Sequence, residues 1–257
     1  MVMDELLVNE EKKIYTITLN RPDKLNAINY RMMENLKKCL TQAEENDRIH
    51  LVLFKGAGDR AFSAGLDTIE ILSLPIEKKN AFFELLLDIS KIALTSNKLY
   101  MTEIRGFAVA AGFAFCLFSD FKIAEDKPEI YFALPEVEVG VFPFAVMALS
   151  LYNFPPSIAI DMLFSGGKLP LQRANELGFI NRIFSAENFE KSARKYIREI
   201  TSQNITVLRL GKACYNIQRM QILKNIIMEK DFTQKGFKGE LDTNTTILQL
   251  KEKWGLK

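Results

Sequence analysis

Two loops in this chain pass from a short apolar run into a helical pattern through small residues, and both could do chemistry with backbone atoms alone. The first is Ala61-Phe62-Ser63-Ala64-Gly65-Leu66-Asp67, after the run Leu51–Phe54. The second is Gly106-Phe107-Ala108-Val109-Ala110-Ala111-Gly112, after the run Tyr100–Ile104. Small side chains at a strand-to-helix turn let a ligand approach the main chain closely and leave first-turn N–H groups free to donate. A helix N-terminus adds partial positive charge. Two such ends aimed at one point would hold the oxygen of an enolate, as an oxyanion hole does. The same residues also suit tight helix packing, and their types alone leave both readings open.

Other chemistries have little to work with. His50 is the only histidine, so a multi-histidine metal site is excluded and a Ser-His-Asp arrangement would have to use His50 itself. It stands at the mouth of the apolar run Leu51–Phe54 and reads as a strand-entry residue near the surface. Cys39, Cys116 and Cys214 are far apart and odd in number, which leaves no disulfide framework and no CxxC metal knuckle. Cys116, inside the run Phe113–Phe118, reads as a small core hydrophobe. Neither a GxGxxG nor a GxxxxGK[ST] pattern occurs, so dinucleotide and P-loop readings have no support. Lys plus Arg is 34 and Asp plus Glu is 32, a formal charge of +2. That balance argues against a nucleic-acid or membrane-surface binder, which would need one sign concentrated on a face.

The elements that must carry the loops follow from periodicity. The chain has 257 residues, 48% of them hydrophobic, and can bury a large core. Short apolar runs alternate with longer amphipathic ones, which predicts an α/β fold. Strands are expected at Lys13–Leu19, Leu51–Phe54, Tyr100–Ile104 and Phe121–Ala124. Asn29 is placed to cap a helix over Tyr30–Glu45, with Met33, Leu36, Leu40 and Ala43 on one face. Further helices are expected over Ile69–Leu74, Ala81–Ala93 and Gly112–Ser119. Val139 to Ile160 carries no charge, yet Pro143, Asn153, Pro155 and Pro156 divide it, so it reads as a buried helix and a turn rather than a membrane span. Beyond about residue 145 helical patterns dominate, at Ile158–Phe164, Leu171–Leu177, Asn188–Ser202 and from Val207 onward. The start, Met1-Val2-Met3-Asp4-Glu5, is acidic where a targeting peptide would be basic, and Trp254-Gly255-Leu256-Lys257 is not the peroxisomal tripeptide. With the scattered cysteines, this gives the expectation of a cytoplasmic protein.

Five segments in order carry a resemblance. They are Leu19-Asn20-Arg21-Pro22-Asp23-Lys24-Leu25-Asn26-Ala27-Ile28; Ala61–Asp67; Gly106–Asp120; Phe132-Ala133-Leu134-Pro135-Glu136-Val137-Glu138-Val139-Gly140; and Phe164-Ser165-Gly166-Gly167 with Ala174-Asn175-Glu176-Leu177-Gly178. Over essentially its whole length the chain resembles the enoyl-CoA hydratase/isomerase (crotonase) superfamily. The resemblance implies a spiral of ββα repeats in residues 1–195 and a helical trimerisation region in residues 196–257, assembled as a homotrimer or a dimer of trimers. It implies an acyl-CoA substrate, with coenzyme A as part of that substrate and no separate cofactor or metal.

Position by position, the resemblance gives the N–H groups of Leu66 and Ala111 the role of oxyanion hole for the thioester carbonyl. The Ala64 carbonyl would face the adenine of coenzyme A, with Lys24, Leu25 and Ala27 along the nucleotide and pantetheine path. Asp67 and Thr68 follow the first loop, while Val109 and Pro135 border the acyl pocket. Phe82, Phe83, Leu86, Phe113 and Phe142 are expected to shape that pocket. Hydratases of the superfamily use two glutamates. One position is Ala114 here and is empty; the other is Glu136. A lone carboxylate beside an oxyanion hole suits a proton shuttle, so the implied activity is isomerisation of 3-enoyl-CoA to 2-enoyl-CoA. A hydratase that recruits Glu138 or another acid, and a catalytically weak acyl-CoA-binding protein, are the alternatives. Apolar neighbours in sequence, Phe132, Leu134, Val141, Phe142 and Phe144, would raise the pKa of Glu136. Glu138, two residues on, would point to the same side if the segment were extended.

Overall fold

The computed structural model describes residues 2, 3, 5–139 and 142–237. Gly140, Val141 and the tail from 238, which holds the last part of the expected trimerisation region, lie outside the described residues. The chain opens with β1 (Val2–Met3), β2 (Leu6–Glu11) and β3 (Ile14–Leu19), paired antiparallel. Tyr15, Ile17 and Leu19 are buried while the residues between them are half-buried, the period of two that one covered face requires. Helix α1 (Tyr30–Glu45) starts where expected: the Asn29 side chain accepts from the Met32 N–H at 2.8 Å, a cap that contributes about 1 kcal/mol. Its buried stripe is Met32, Met33, Leu36, Cys39, Leu40 and Ala43.

Repeated ββα units come next. β4 (Leu51–Gly56) and β5 (Ala61–Ser63) lead into α2 (Thr68–Ser73) and α3 (Ile76–Thr95). β6 (Leu99–Ile104) and β7 (Phe107–Val109) lead into α4 (Ala111–Phe118). β8 (Phe121–Glu125) and β9 (Tyr131–Ala133) lead through a 3-10 turn, Pro135–Val139, into α5 (Phe144–Asn153). The chain continues with α6 (Pro156–Ser165), β10 (Leu169–Pro170), α7 (Leu171–Glu176), β11 (Arg182–Phe184), α8 (Phe189–Thr201) and α9 (Ile205–Phe237). The first strand of each unit joins a large sheet and the second joins a small one. Among the described residues the large sheet runs β1-β2-β3-β4-β6-β8-β11 and the small one β10-β9-β7-β5. From β3 onward the large sheet is parallel, and so are the β5–β7 and β7–β9 pairs. This is the α/β spiral of ββα turns expected from the sequence.

Burial follows from this geometry. Helix α4 is covered on almost every side, with Gly112, Phe113, Phe115, Cys116, Leu117 and Phe118 buried. The Phe54 ring of β4 meets Phe115 edge-on at 5.0 Å. The other face of the large sheet, Leu51, Leu53, Leu99, Met101 and Ile123, is covered by Phe189, Ala193 and Ile197 of α8. His50 is buried rather than near the surface. Its N–H donates to Lys13 O at 2.8 Å and its carbonyl accepts from Leu99 N at 3.0 Å, so it sits between β3 and β6 at the start of β4. Burial, then the charge of Lys13, pushes its pKa down. The uncharged stretch from Val139 becomes α5 and α6, separated at Phe154–Pro155. Among the described residues no helix is long and apolar enough to cross a membrane.

Helix α9 packs against α3 and α5 of its own chain. One face of it is fastened by polar groups. Lys212 and Arg219 both ion-pair with Asp120, the latter at 3.1 Å, while Arg219 also donates to Phe118 O at 2.7 Å. Asn216 donates to Ser96 O at 2.7 Å, and Asp120 in turn accepts from the Tyr100 N–H at 2.8 Å. All three α9 side chains are buried. Two buried cations depend on one carboxylate, so Asp120→Ala should destabilise the protein by about 3–5 kcal/mol, far more than loss of a surface pair. Denaturant titration checks this; a change below about 1 kcal/mol would show the cluster to be solvated.

Candidate active site

The three short strands β5, β7 and β9 are parallel neighbours, so their C-terminal ends lie side by side. Ser63 pairs with Ala108, and Val109 with Ala133. Beyond these ends come Ala64-Gly65-Leu66, Ala110-Ala111 and Leu134-Pro135-Glu136. Strand order therefore sets Leu66 on one side of Ala111 and Glu136 on the other. In open α/β sheets this carboxyl edge is where ligands bind.

The first loop is fixed by the segment Leu25–Ile28. Ala64 N donates to Leu25 O at 2.9 Å, Ile28 N donates to Gly65 O at 2.7 Å, and Asp67 N donates to Ile28 O at 2.9 Å. In a trans peptide the C=O and N–H point in opposite directions. Because the Gly65 carbonyl faces Ile28, the Leu66 N–H points away from it. The second loop is fixed by Ala110, whose N–H donates to Ala133 O at 3.0 Å and whose carbonyl accepts from Phe113 N at 2.9 Å. Ala111 is the first residue of α4, so its N–H has no carbonyl within the helix and points out of the helix end.

The loops touch through Gly65. A Cβ built there would lie 2.7 Å from the Ala110 Cβ and 3.4 Å from the Ala111 nitrogen, and its φ of +91° is one that side-chain-bearing residues rarely adopt. Gly112 is as constrained, since a Cβ on it would lie 2.6 Å from the Cβ of Ser63. Gly65 thus packs directly against Ala110 and Ala111, which sets the peptide bearing the Leu66 N–H beside the one bearing the Ala111 N–H.

The remaining expected residues fall around this point. Lys24 is exposed at the end of a 3-10 turn, and Leu25 and Ala27 are half-buried in the segment laced to the first loop. Asp67 is already engaged: it accepts from Glu70 N at 3.3 Å as the cap of α2 and pairs with Arg21 at 3.0 Å. Thr68, the first residue of α2, is exposed. Val109 is buried at the end of β7, and Pro135 is half-buried one residue before Glu136. Phe113 is packed in an aromatic cluster with Phe132 at 5.1 Å and Phe179 at 5.7 Å. Ala114, three residues into α4 from Ala111, is half-buried and leaves no acid on that face.

Glu136 is half-buried beyond the end of β9. Its Oε2 is buried and has no hydrogen-bond partner among the described residues. Burial pushes its pKa up to about 7, opposed only in part by a bond to its own backbone N–H. Glu138 does not share its direction. The segment is a 3-10 turn rather than extended, so residues two apart diverge by about 120°. Glu138 is exposed and leans on Gly166, where an added Cβ would lie 3.1 Å from its Oε1.

Residue types alone did not point to Arg21, Asn26 and Ser63, although all three lie inside the segments that carry the resemblance. Arg21 bridges Ala27 O at 2.8 Å and Asp67, while the Asn26 side chain ties Ala57 O and Ala61 O at 2.9 Å each. Elsewhere, a cavity of about 330 Å³ opens at the N-terminal ends of β4 and β6, beside Glu44, Lys98 and Arg209. Its charges are already paired: Glu44 holds Ser96 and Tyr100, Lys98 holds two carbonyls, and Arg209 holds Asp47.

The model of the family described as enoyl-CoA hydratase/isomerase matches residues 9–254. The chain is 24% identical over 217 residues to the crotonyl-CoA hydratase of Syntrophomonas wolfei, covering 84% of this chain and 83% of that protein. It is 29% identical over 220 residues to the mitochondrial enoyl-CoA hydratase domain-containing protein 3 of Danio rerio, covering 84% of this chain and 74% of that protein. Among solved structures, an enoyl-CoA hydratase/isomerase from Mycobacterium paratuberculosis superposes with a TM-score of 0.83 at 23% identity, over 91% of this chain and 93% of that one. The fold is shared with these enzymes.

The buried carboxyl has a consequence for stability. Its pKa is raised from 4.5 to about 7 on folding, so between those values the folded state binds the extra proton. The contribution is full at low pH and is lost as pH rises through about 7. Glu136→Gln cannot ionise there, so its melting temperature should fall less than the parent's between about pH 5 and pH 8. Equal falls in both proteins would contradict a buried, unpaired carboxyl.

Proposed function

The chain belongs to the enoyl-CoA hydratase/isomerase family, and from that premise we propose that it is an isomerase converting 3-enoyl-CoA to 2-enoyl-CoA with Glu136 as its one acid–base group. The ionised carboxylate takes a proton from carbon 2. The electron pair of that C–H bond delocalises into a dienolate, whose oxygen is held by the Leu66 and Ala111 N–H groups. The same proton then returns to carbon 4 as the double bond moves to carbons 2 and 3. The step is redox-neutral and adds no water, so it calls for no oxidant, reductant or activated nucleophile. Such a base works best with a pKa near the working pH, and an oxyanion pair lowers the energy of the enolate it creates.

The observation that carries this reading is the count of acids at the strand ends. Glu136 is there, with its Oε2 buried and without a partner among the described residues, while the position for a second acid is Ala114. Lys24, Leu25, Ala27, Ala64, Asp67 and Thr68 are proposed to run along the coenzyme A path, with Val109 and Pro135 at the acyl group. Asp67 supports that path indirectly, since its carboxylate is held by Arg21 and the start of α2. The names of the relatives favour a second reading, hydration of a 2-enoyl-CoA. It would need another acid, and Glu138 leans away toward Gly166. We propose also that the chain acts as a trimer or a dimer of trimers, which would cover exposed apolar side chains such as Phe164 on α6 and Ile217 on α9.

Two substrates separate the readings. With 3-hexenoyl-CoA the 2-enoyl thioester absorbance should rise, and with crotonyl-CoA it should not fall. Loss of the crotonyl-CoA signal with no gain from 3-hexenoyl-CoA would make the protein a hydratase. Glu136→Gln should lower kcat by about 10²–10⁴-fold, and the parent's rate should climb with pH through about 7 as the base ionises. Turnover retained in Glu136→Gln would identify a different base.

A further inference from the structure

We propose that the Ser63 hydroxyl is a positioning group that sets the direction of the Leu66 N–H, an inference that rests on the oxyanion role given to Leu66 and Ala111 above. Gly65 lies between the peptide that carries its own N–H and the peptide that carries the Leu66 N–H. As a glycine at φ +91° it has no side-chain restraint of its own, so its conformation depends on what holds those two peptides. Ile28 holds the second, through the Gly65 carbonyl at 2.7 Å. Ser63 holds the first: the Gly65 N–H donates to its Oγ at 3.1 Å.

The hydroxyl is itself fixed. It donates to the Asn26 carbonyl at 2.8 Å, and the Asn26 side chain is in turn tied to Ala57 O and Ala61 O. Ser63 is fully buried as the last residue of β5, and its Cβ lies against Gly112 in the first turn of α4. One small side chain therefore touches the Asn26 segment, the Gly65 hinge and the helix that supplies the second donor. An alanine would keep the packing against Gly112 and release the hinge. Loss of such alignment lowers kcat, since a displacement of about 1 Å can cost about a hundredfold.

The test uses Ser63→Ala with two readouts besides folding. For 3-hexenoyl-CoA, kcat should fall by about tenfold to a hundredfold while KM changes less than about threefold, the pattern of an interaction that matters in the transition state. The second readout is the absorption of bound 2,4-hexadienoyl-CoA, which shifts to the red when its carbonyl is polarised by hydrogen bonds. That shift should shrink in Ser63→Ala and be intermediate in Ser63→Cys, whose thiol is a longer and weaker partner. Undiminished kcat, a raised KM alone, or a full red shift in Ser63→Ala overturns the proposal. Should Ser63→Ala fail to fold, a full parental shift in Ser63→Cys overturns it. A parent that shifts the dienoyl spectrum without isomerising 3-hexenoyl-CoA refutes the isomerase reading alone, and the spectra then carry the test. A parent with no shift removes the oxyanion pair and the Ser63 proposal together.

Discussion

Between Gly65 and the turn Val109–Ala111 there is no room for a side chain. A Cβ on Gly65 would meet Ala110 Cβ at 2.7 Å and Val109 O at 3.1 Å, and the other features of the site follow from that approach. Two amides on separate loops can share one oxygen only if their peptides pack directly on each other. Strands in a sheet lie about 4.8 Å apart, so neighbouring parallel strands that both turn at the same edge bring the peptides just beyond their ends within reach. β5 and β7 are such neighbours, and β9 on the far side of β7 delivers Glu136 to the same edge. The spiral of ββα units is what makes the second strand of each turn adjacent to the next.

That approach carries strain, which the surroundings hold in place. Ala110 has φ 51° and ψ −129°, a region L-residues populate sparsely and that costs of order 1–3 kcal/mol. Its N–H is fixed by Ala133 and its carbonyl by Phe113, so the strained turn is anchored to β9 and to α4. Leu25 and Asn26 also have positive φ, and there the Asn26 side chain, with bonds to Ala57, Ala61 and Arg21, locks the conformation. The buried Oε2 of Glu136 is a cost of another kind, an acid oxygen with no hydrogen-bond partner among the described residues. The strained Ala110 and the desolvated Glu136 oxygen meet at one edge of the small sheet, while the buried Asp120 cluster fastens α9 elsewhere in the fold.

Features with long periodicity were legible in the sequence and features set by contact were not. The stripe of α1 and its Asn29 cap, the strands of the large sheet from β3 to β8 and the breaks at Asn153 and Pro155 all follow from residue pattern. The small sheet does not, because β5, β7 and β9 are three residues each, too short for a period and rich in the small residues that read as loop. Their loops were nevertheless singled out, since Gly and Ala at a helix start have a chemical meaning as well as a packing one. Glu136 is different: its residue type and position resemble any acid after a proline, and only the family resemblance marked it. Glu138 would share the direction of Glu136 only in an extended segment, and the 3-10 turn at Pro135–Val139 leaves it exposed instead. Ser63 and Asn26 carried no compositional signal, because their importance lies in which carbonyl or amide each side chain reaches.

The composition of α4 favours the proposed reaction. From Ala111 to Phe118, α4 carries no charged side chain, and from Phe115 to Phe118 it is buried throughout. An acid at Ala114 would stand within the first turn of that helix, where its negative charge would oppose the one developing on the thioester oxygen. Where water must be activated, a second carboxylate offsets that repulsion by the work it does on the water. Where a proton only moves from carbon 2 to carbon 4 of the same molecule, it contributes nothing and weakens the hole. Alanine at that position would leave the helix dipole and the two N–H groups of the proposed oxyanion hole unopposed.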